Sequence, residues 1–127
     1  MLISIKRIYD KAEVTDGTRV LVDRLWPRGV KKSTAHIDKW VKEVAPSDEL
    51  RTWFGHDPEK WDEFRKKYLK ELESNDAVAS LISFVSRNDV TFIYAARDTE
   101  HNNAVVLSEF LAEKLKKAPS ETEKKKE

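Results

Sequence analysis

The sequence predicts a small α/β fold, in which a mostly parallel sheet of three to four strands is covered by helices on both faces, as in Rossmann-like three-layer folds. Residues 20–22 and 90–96 are apolar almost throughout, which is typical of strands covered on both faces. The segments between these strands show helical periodicity and are long enough for right-handed crossover connections. The chain has 127 residues, well below the roughly 250 at which cores divide, so we expect one domain over residues 1–117.

Three segments rich in β-branched and aliphatic residues predict the strands, which are residues 3–9, 19–26 and 90–96. The turn signal Asp16-Gly17 separates the first two strands and fits either a two-residue hairpin or a short crossover between parallel strands. The sequence leaves these two alternatives open. We expect residues 20–25 and 90–95 to be parallel neighbours, because the helices between them allow a right-handed crossover.

Helical spacing of apolar residues predicts the first helix, which is capped by Ser33 or Thr34 and ended by Pro46. Its inward positions follow the i, i+3, i+4, i+7 rule and are Ile37, Trp40, Val41 and Val44. Residues 47–54 predict one or two further helical turns that end at Gly55.

Three longer helices follow, each with polar residues at its start. Asp57 as the N-cap and Pro58 at the first helical position open a helix with the inward stripe Trp61, Phe64, Tyr68, Leu69 and Leu72. The other two helices are predicted to begin at Asn75 or Asp76 and at Asn102 or Asn103. Residues 118–127 contain no apolar residue after Ala118 and are predicted to form a disordered charged tail.

The charge balance narrows the range of partners. With 24 basic and 23 acidic residues the net charge is +1, which is unlike proteins that coat nucleic acid. Residues 1–32 nevertheless carry eight basic against four acidic residues, so nucleic acid stays an alternative partner that is not favoured. No apolar run approaches the roughly 20 residues that span a bilayer, so we expect a cytoplasmic protein with no membrane partner.

The second strand ends in a polar and aromatic cluster made of Asp23, Arg24, Trp26 and Arg28. Ligands of open α/β sheets bind outside the carboxyl ends of the strands, and a buried charge needs a partner or a ligand. We therefore expect a cleft here in which Arg24, Trp26 and Arg28 contact a ligand. The alternative is a buried ion pair that only fixes the strand exit.

A second polar cluster follows the last strand and contains Arg97, Asp98, His101 and Asn103. The free N–H groups of a helix start favour anions, the Arg97 guanidinium suits phosphate or carboxylate, and His101 could transfer a proton near neutral pH. If the two strands are parallel neighbours, both clusters face one cleft. The alternative is that an asparagine caps the helix while Asp98 pairs with Arg24 or Arg97.

One further residue is a candidate for the cleft, and the composition and motifs exclude several kinds of site. His56 beside Asp57 is a further candidate for lining the cleft. The chain has no cysteine, which excludes disulfides, thiolate zinc sites and a cysteine nucleophile. The absence of metal-ligand spacings, a phosphate-binding glycine loop and a dinucleotide fingerprint predicts neither a metal nor a cofactor.

Four segments of the chain, at residues 20–29, 45–47, 50–54 and 94–98, read VLVDRLWPRG, APS, LRTWF and YAARD. With these motifs the chain closely resembles the YeaO-like proteins, the short branch of the domain-of-unknown-function family 488, from about residue 6 to residue 115. The resemblance implies a small α/β domain and brings no established biochemical activity. Longer relatives place cysteines around the last strand–helix junction, where residues 98–103 of this chain read DTEHNN, so thiol chemistry is not available here.

We expect the cleft to bind a phosphorylated or otherwise anionic small molecule, with Arg24, Arg28 and Arg97 as its clamp. Hydrolytic or acid–base activity in this cleft would use Asp23 or Asp98 as the base and His101 as the proton donor.

Two other classes of function stay open, a nucleic-acid-binding module and a regulatory or interaction domain without catalysis. The helix best placed to read DNA begins with Asp57-Pro58-Glu59. Phosphates would repel this acidic start, and recognition helices present their N-terminal residues to DNA. The identity of the ligand and the oligomeric state are not determined by the sequence.

Overall fold

A computed structural model describes residues 2–117 of the chain. It confirms the small α/β fold, with an all-parallel sheet of four strands in the order β1-β4-β2-β3. The strands are β1 (Ile3–Arg7), β2 (Thr18–Leu21), β3 (Lys39–Trp40) and β4 (Val90–Tyr94). The predicted disordered tail lies outside the described residues.

The central strand β4 is buried along its whole length and separates β1 from β2. Val90 pairs with Ile3 on one side and with Thr18 on the other. The predicted parallel pairing of the second and last strands is therefore confirmed. Of the two alternatives for the first two strands, the hairpin is wrong and the crossover between parallel strands is found, with β4 lying between β1 and β2.

The Asp16-Gly17 signal marks a close crossing of the backbone. Asp16 ends a short 3₁₀ helix (Val14–Asp16), and Gly17 has a φ of 65°. A Cβ atom at Gly17 would lie only 2.5 Å from the carbonyl oxygen of Asp89. Glycine is required here because the chain passes against the start of β4 with a positive φ.

In the described part of the chain, five α-helices surround the sheet: α1 (Lys32–Ala35), α2 (Asp48–Phe54), α3 (Trp61–Glu73), α4 (Ala77–Val85) and α5 (Asn103–Lys117). The predicted end of α2 at Gly55 and the predicted caps before α3 and α5 are confirmed. Ser47 Oγ accepts the Leu50 N–H at the start of α2, and Gly55 ends this helix with a φ of 52°. Asp57 caps the 3₁₀ turn Pro58–Lys60 that leads into α3, and Asn102 Oδ1 accepts the Val105 N–H of α5.

The predicted helix from Ser33 or Thr34 to Pro46 is wrong. α1 has four residues and ends at His36, whose φ of 54° is left-handed. The chain then forms β3 and the 3₁₀ turn Lys42–Val44. The open edge of β2 explains this difference, since Arg19 and Leu21 each accept a backbone N–H from the segment around β3. Such pairing with a distant strand overrides the local helical spacing.

The two faces of the sheet are covered unequally. The larger core lies between the sheet and α2, α3, α4 and α5, with residues such as Val20, Phe92, Phe64 and Leu107 fully or almost fully buried. The smaller core contains Ala35 of α1 and lies on the other face, with Ile8, Leu21 and Ile93. Within residues 2–117, no helix combines the length and apolar character needed to cross a bilayer.

Candidate functional site

A cleft of about 800 Å³ opens where β2 and β4 end. The strands are parallel neighbours, so the segments that follow them leave the sheet at the same edge. Residues 23–27 and 95–98 form two of its walls, and the rest comes from residues 45–46, from α2 and the turn after it, from Phe64 of α3 and from the start of α5. The cleft is where the strand-end clusters were expected to converge.

Asp23 lies in this cleft and is held by two neutral donors. Its Oδ2 accepts the Ala95 N–H at 3.0 Å, and its Oδ1 accepts Asn103 Nδ2 at 3.2 Å. Asn103 also donates to the Val22 carbonyl at 3.0 Å, which fixes the amide. Burial raises the pKa of Asp23, and the bonds from Asn103 and Ala95 oppose that rise in part. No cation among residues 2–117 forms an ion pair with this carboxylate.

Arg24 turns toward the opposite wall instead of toward Asp23. Its Nη2 donates to the Ala45 carbonyl at 3.1 Å and its Nε to the Pro46 carbonyl at 3.2 Å. Asp48 Oδ1 lies 3.8 Å from Arg24 Nε and 3.3 Å from Arg51 Nη2. Two cleft arginines therefore share a single carboxylate.

Arg97 is exposed at the edge of the cleft. Within the described residues 2–117, no hydrogen bond or ion pair engages its guanidinium group. A guanidinium presents five N–H donors in a fixed planar arrangement. Arg97 is therefore available to an anion that enters the cleft.

Asp98 organises the turn between β4 and α5. Its Oδ1 accepts the N–H groups of Glu100 and His101 at 2.9 and 3.0 Å, and its Oδ2 lies 2.8 Å from His101 Nδ1. These bonds hold the pKa of Asp98 below its usual range, and the bond from the Glu100 N–H has the largest effect. The His101 ring packs edge-on against Trp61 at 5.1 Å between centroids.

His56 lines the cleft from the turn after α2 and has a φ of 58°. A histidine in the left-handed region is uncommon, and such strain concentrates at functional sites. Its ring centroid lies 6.3 Å from that of Phe54. His56 and Asp23 both line the cleft, and an electrostatic interaction with His56 acts to lower the pKa of Asp23.

Aromatic side chains supply the apolar walls. Phe54 and Phe64 stack at 4.2 Å between ring centroids. Trp26 donates its Nε1 proton to the Val30 carbonyl at 2.7 Å and meets Trp40 edge-on at 5.5 Å. Because its indole N–H is already satisfied, Trp26 offers mainly apolar surface to the cleft.

Residues 2–126 match the model of the family DUF488-N3i, which is described as the inactive DUF488-N3 subclade. The chain belongs to this DUF488 family. It is 42% identical over 112 residues to the uncharacterised protein YeaO of Escherichia coli, covering 87% of this chain and 97% of YeaO. It is also 41% identical over 109 residues to uncharacterised proteins of Mycobacterium tuberculosis and Mycobacterium bovis, covering 86% of this chain and 92% of each relative.

These relatives confirm that the chain is YeaO-like, as its four motifs predicted. No solved structure matches the chain.

Most of the site residues predicted for this DUF488 protein line one cleft, and these are Asp23, Arg24, Trp26, His56, Arg97, Asp98 and Asn103. Two others lie elsewhere. Arg28 is exposed outside the cleft lining, and its carbonyl accepts the Tyr9 hydroxyl at 3.3 Å. His101 lies behind Asp98 and is also absent from the lining.

Three residues that no sequence pattern predicted as cleft residues also line it, and these are Arg51, Phe54 and Asn102. Arg51 and Phe54 belong to the LRTWF motif of α2, which carried the family resemblance but has no catalytic pattern. Asn102 was identified only as a helix cap. Within residues 2–117, no three histidine, aspartate or glutamate side chains are grouped closely enough to hold a metal ion.

Proposed function

We propose that the cleft binds a small molecule with a phosphate or another anionic group and does not transform it. The availability of the Arg97 guanidinium at the cleft edge carries this proposal. An arginine that has no internal partner can give all its hydrogen bonds to a ligand, and bidentate pairs with phosphate or carboxylate are among the stronger interactions in proteins.

The charges around the cleft support an anionic ligand. Three arginines and two aspartates line it. Arg24 and Arg51 share Asp48, and the Asp98 carboxylate already accepts three hydrogen bonds. Arg24 and Arg51 together carry one positive charge more than Asp48 neutralises, so this side of the cleft would attract an anion.

Binding without turnover fits the placement of His101, the candidate proton donor. His101 and Asp98 bond to each other in the turn, and the His101 ring lies against Trp61 and not in the cleft lining. The subclade to which the chain belongs is described as inactive. Both observations support a cleft that recognises a ligand.

The test is a titration of the wild-type protein with inorganic phosphate and with n-propyl phosphate. Calorimetry measures binding, and the melting temperature is measured with and without each anion. We expect both anions to bind and to raise the melting temperature by mass action on the folded state. Arg97→Ala should weaken binding by about tenfold or more, since a charged hydrogen bond contributes roughly 1.5–3 kcal/mol.

Arg87→Ala is the matched control, because Arg87 is exposed after α4 and, within residues 2–117, its guanidinium bonds only to Ser83. It removes the same charge at the opposite edge of the sheet and should leave the affinity within about twofold. Equal losses in the two variants, or no binding of either anion to the wild type, would contradict the proposal. Release of phosphate from propyl phosphate, measured on the same samples, would contradict the absence of turnover.

A further inference from the structure

We infer that the ligand of the cleft also carries a cationic ammonium or amidine group, and that Asp23 selects it. This inference rests on the proposed anion-binding function and names its ligand class as small zwitterions. The anionic end of such a ligand would meet Arg97, and its cationic end would meet the Asp23 carboxylate.

The Asp23 carboxylate has about half of its hydrogen-bond acceptor sites unoccupied. An ionised carboxylate has about four lone-pair sites, and the Ala95 N–H and Asn103 Nδ2 occupy two of them. Both donors are neutral. A carboxylate that lines a cleft and has unused acceptor sites is suited to a ligand that donates hydrogen bonds.

The surrounding cations do not neutralise Asp23. Arg24, the next residue, is held by the carbonyl groups of Ala45 and Pro46. His56 influences Asp23 electrostatically, yet no ion pair joins the two among the described residues. A partly buried charge without a counter-ion is costly, so a ligand cation that pairs with Asp23 removes that cost on binding.

The chain limits how far the backbone of Arg97 lies from the Asp23 carboxylate. Ala95, which bonds Asp23, precedes Arg97 by two residues, and two residues span at most about 7 Å. A short zwitterion of matching length would reach both groups. The aromatic wall formed by Phe54 and Phe64 would contact the alkyl chain that joins the two charged ends of the ligand.

The experiment compares ω-aminoalkyl phosphates of two to five carbons with n-alkyl phosphates of the same lengths, using calorimetry on the wild-type protein. We expect at least one aminoalkyl phosphate to bind about tenfold more tightly than its alkyl partner. Asp23→Asn should reduce that ratio to about twofold while the alkyl phosphate keeps its affinity. Asp76→Asn, the same change at an exposed position outside the cleft, should leave the ratio unchanged.

A measurement on the wild type covers the case in which Asp23→Asn does not fold. The Ala95 amide donates to Asp23, so its amide NMR resonance should shift with the aminoalkyl phosphate and stay nearly unchanged with the alkyl phosphate. Alkyl phosphates that bind as tightly as aminoalkyl phosphates, or an Ala95 resonance that responds equally to both, would overturn the inference and leave anion binding intact. Failure of both ligand series to bind would instead refute the proposed function itself.

Discussion

Asp16 lies just before β2 and Asp23 lies two residues after it, so one strand separates two carboxylates in different surroundings. Asp16 is 7% exposed and meets Arg19 Nη1 at 2.6 Å and Lys6 Nζ at 2.9 Å. Asp23 meets an amide and a backbone N–H. The first carboxylate is neutralised by the protein, whereas the second is not.

The pKa values of the two carboxylates move in opposite directions. Burial pushes the pKa of Asp16 upward, but bonds from the Glu13 N–H, Lys6 and Arg19 outweigh it and bring the pKa to about 2. Burial dominates at Asp23 and raises its pKa. A carboxylate that pairs with two cations stabilises the fold. A carboxylate that meets only neutral donors stays able to pair with a ligand cation. The position of a charge relative to a strand therefore says less about its role than the groups that surround it.

Asp16→Asn should produce the largest effect on stability. It leaves Arg19, which is 4% exposed, without its ionised partner in a buried site. Breaking a buried pair from one side costs about 3–5 kcal/mol, which urea denaturation should record as a lower free energy of unfolding. Glu13→Gln, which changes the 60% exposed partner of Lys6, should cost less than about 1 kcal/mol. Similar losses in the two variants would show that Asp16 is not the centre of this cluster.

Lowering the pH should change the contributions of the two aspartates to the free energy of unfolding in opposite directions. The pKa of Asp16 is lowered in the folded state, so its stabilising effect is present above the unfolded value near 3.8 and is lost as the pH falls toward about 2. The pKa of Asp23 is raised, so its charge is unfavourable above its folded pKa and this penalty disappears as the pH falls. We therefore expect the stability difference between wild type and Asp16→Asn to shrink on acidification from pH 5.

The same series with Asp23→Asn should move the other way, with the wild type gaining relative to the variant as the pH falls. Urea denaturation of the three proteins at several pH values measures both slopes. Two slopes of the same sign would mean that the surroundings of the two carboxylates do not differ as the structure indicates.

A smaller effect is expected from the two left-handed histidines, His36 and His56, with φ values of 54° and 58°. Glycine at either position should relieve about 1–2 kcal/mol of strain and cost about 0.5–1 kcal/mol of chain entropy. The net gain of roughly 0.5 kcal/mol should appear as a higher melting temperature in both variants. Only His56→Gly should also weaken anion binding, because His56 lines the cleft and His36 does not. Loss of affinity in His36→Gly as well would exclude a specific role for His56.

Local sequence signals predicted much of the secondary structure. Strands such as residues 90–96 are continuous apolar runs, and helix starts such as Asp57-Pro58 and Asn102 carry the capping groups that the structure uses. These signals suffice because capping and periodic burial depend on residues a few positions apart. The cluster of polar residues after each strand was visible for the same reason, and parallel neighbours bring such clusters to one edge.

The sequence by itself therefore determined the α/β class, the starts of longer helices such as those at Asp57 and Asn102, most of the strand-end residues that lie in the cleft, and the family. Only the tertiary structure decided that β4 separates β1 from β2, that residues around β3 pair with β2 instead of forming a helix, and that Arg51 faces the cleft while Arg28 does not. Strand pairing and side-chain partners join residues far apart in the chain, so their outcome depends on competition among distant surfaces. The Asp23 carboxylate and the Ala95 N–H are 72 positions apart, and no local pattern encodes that contact.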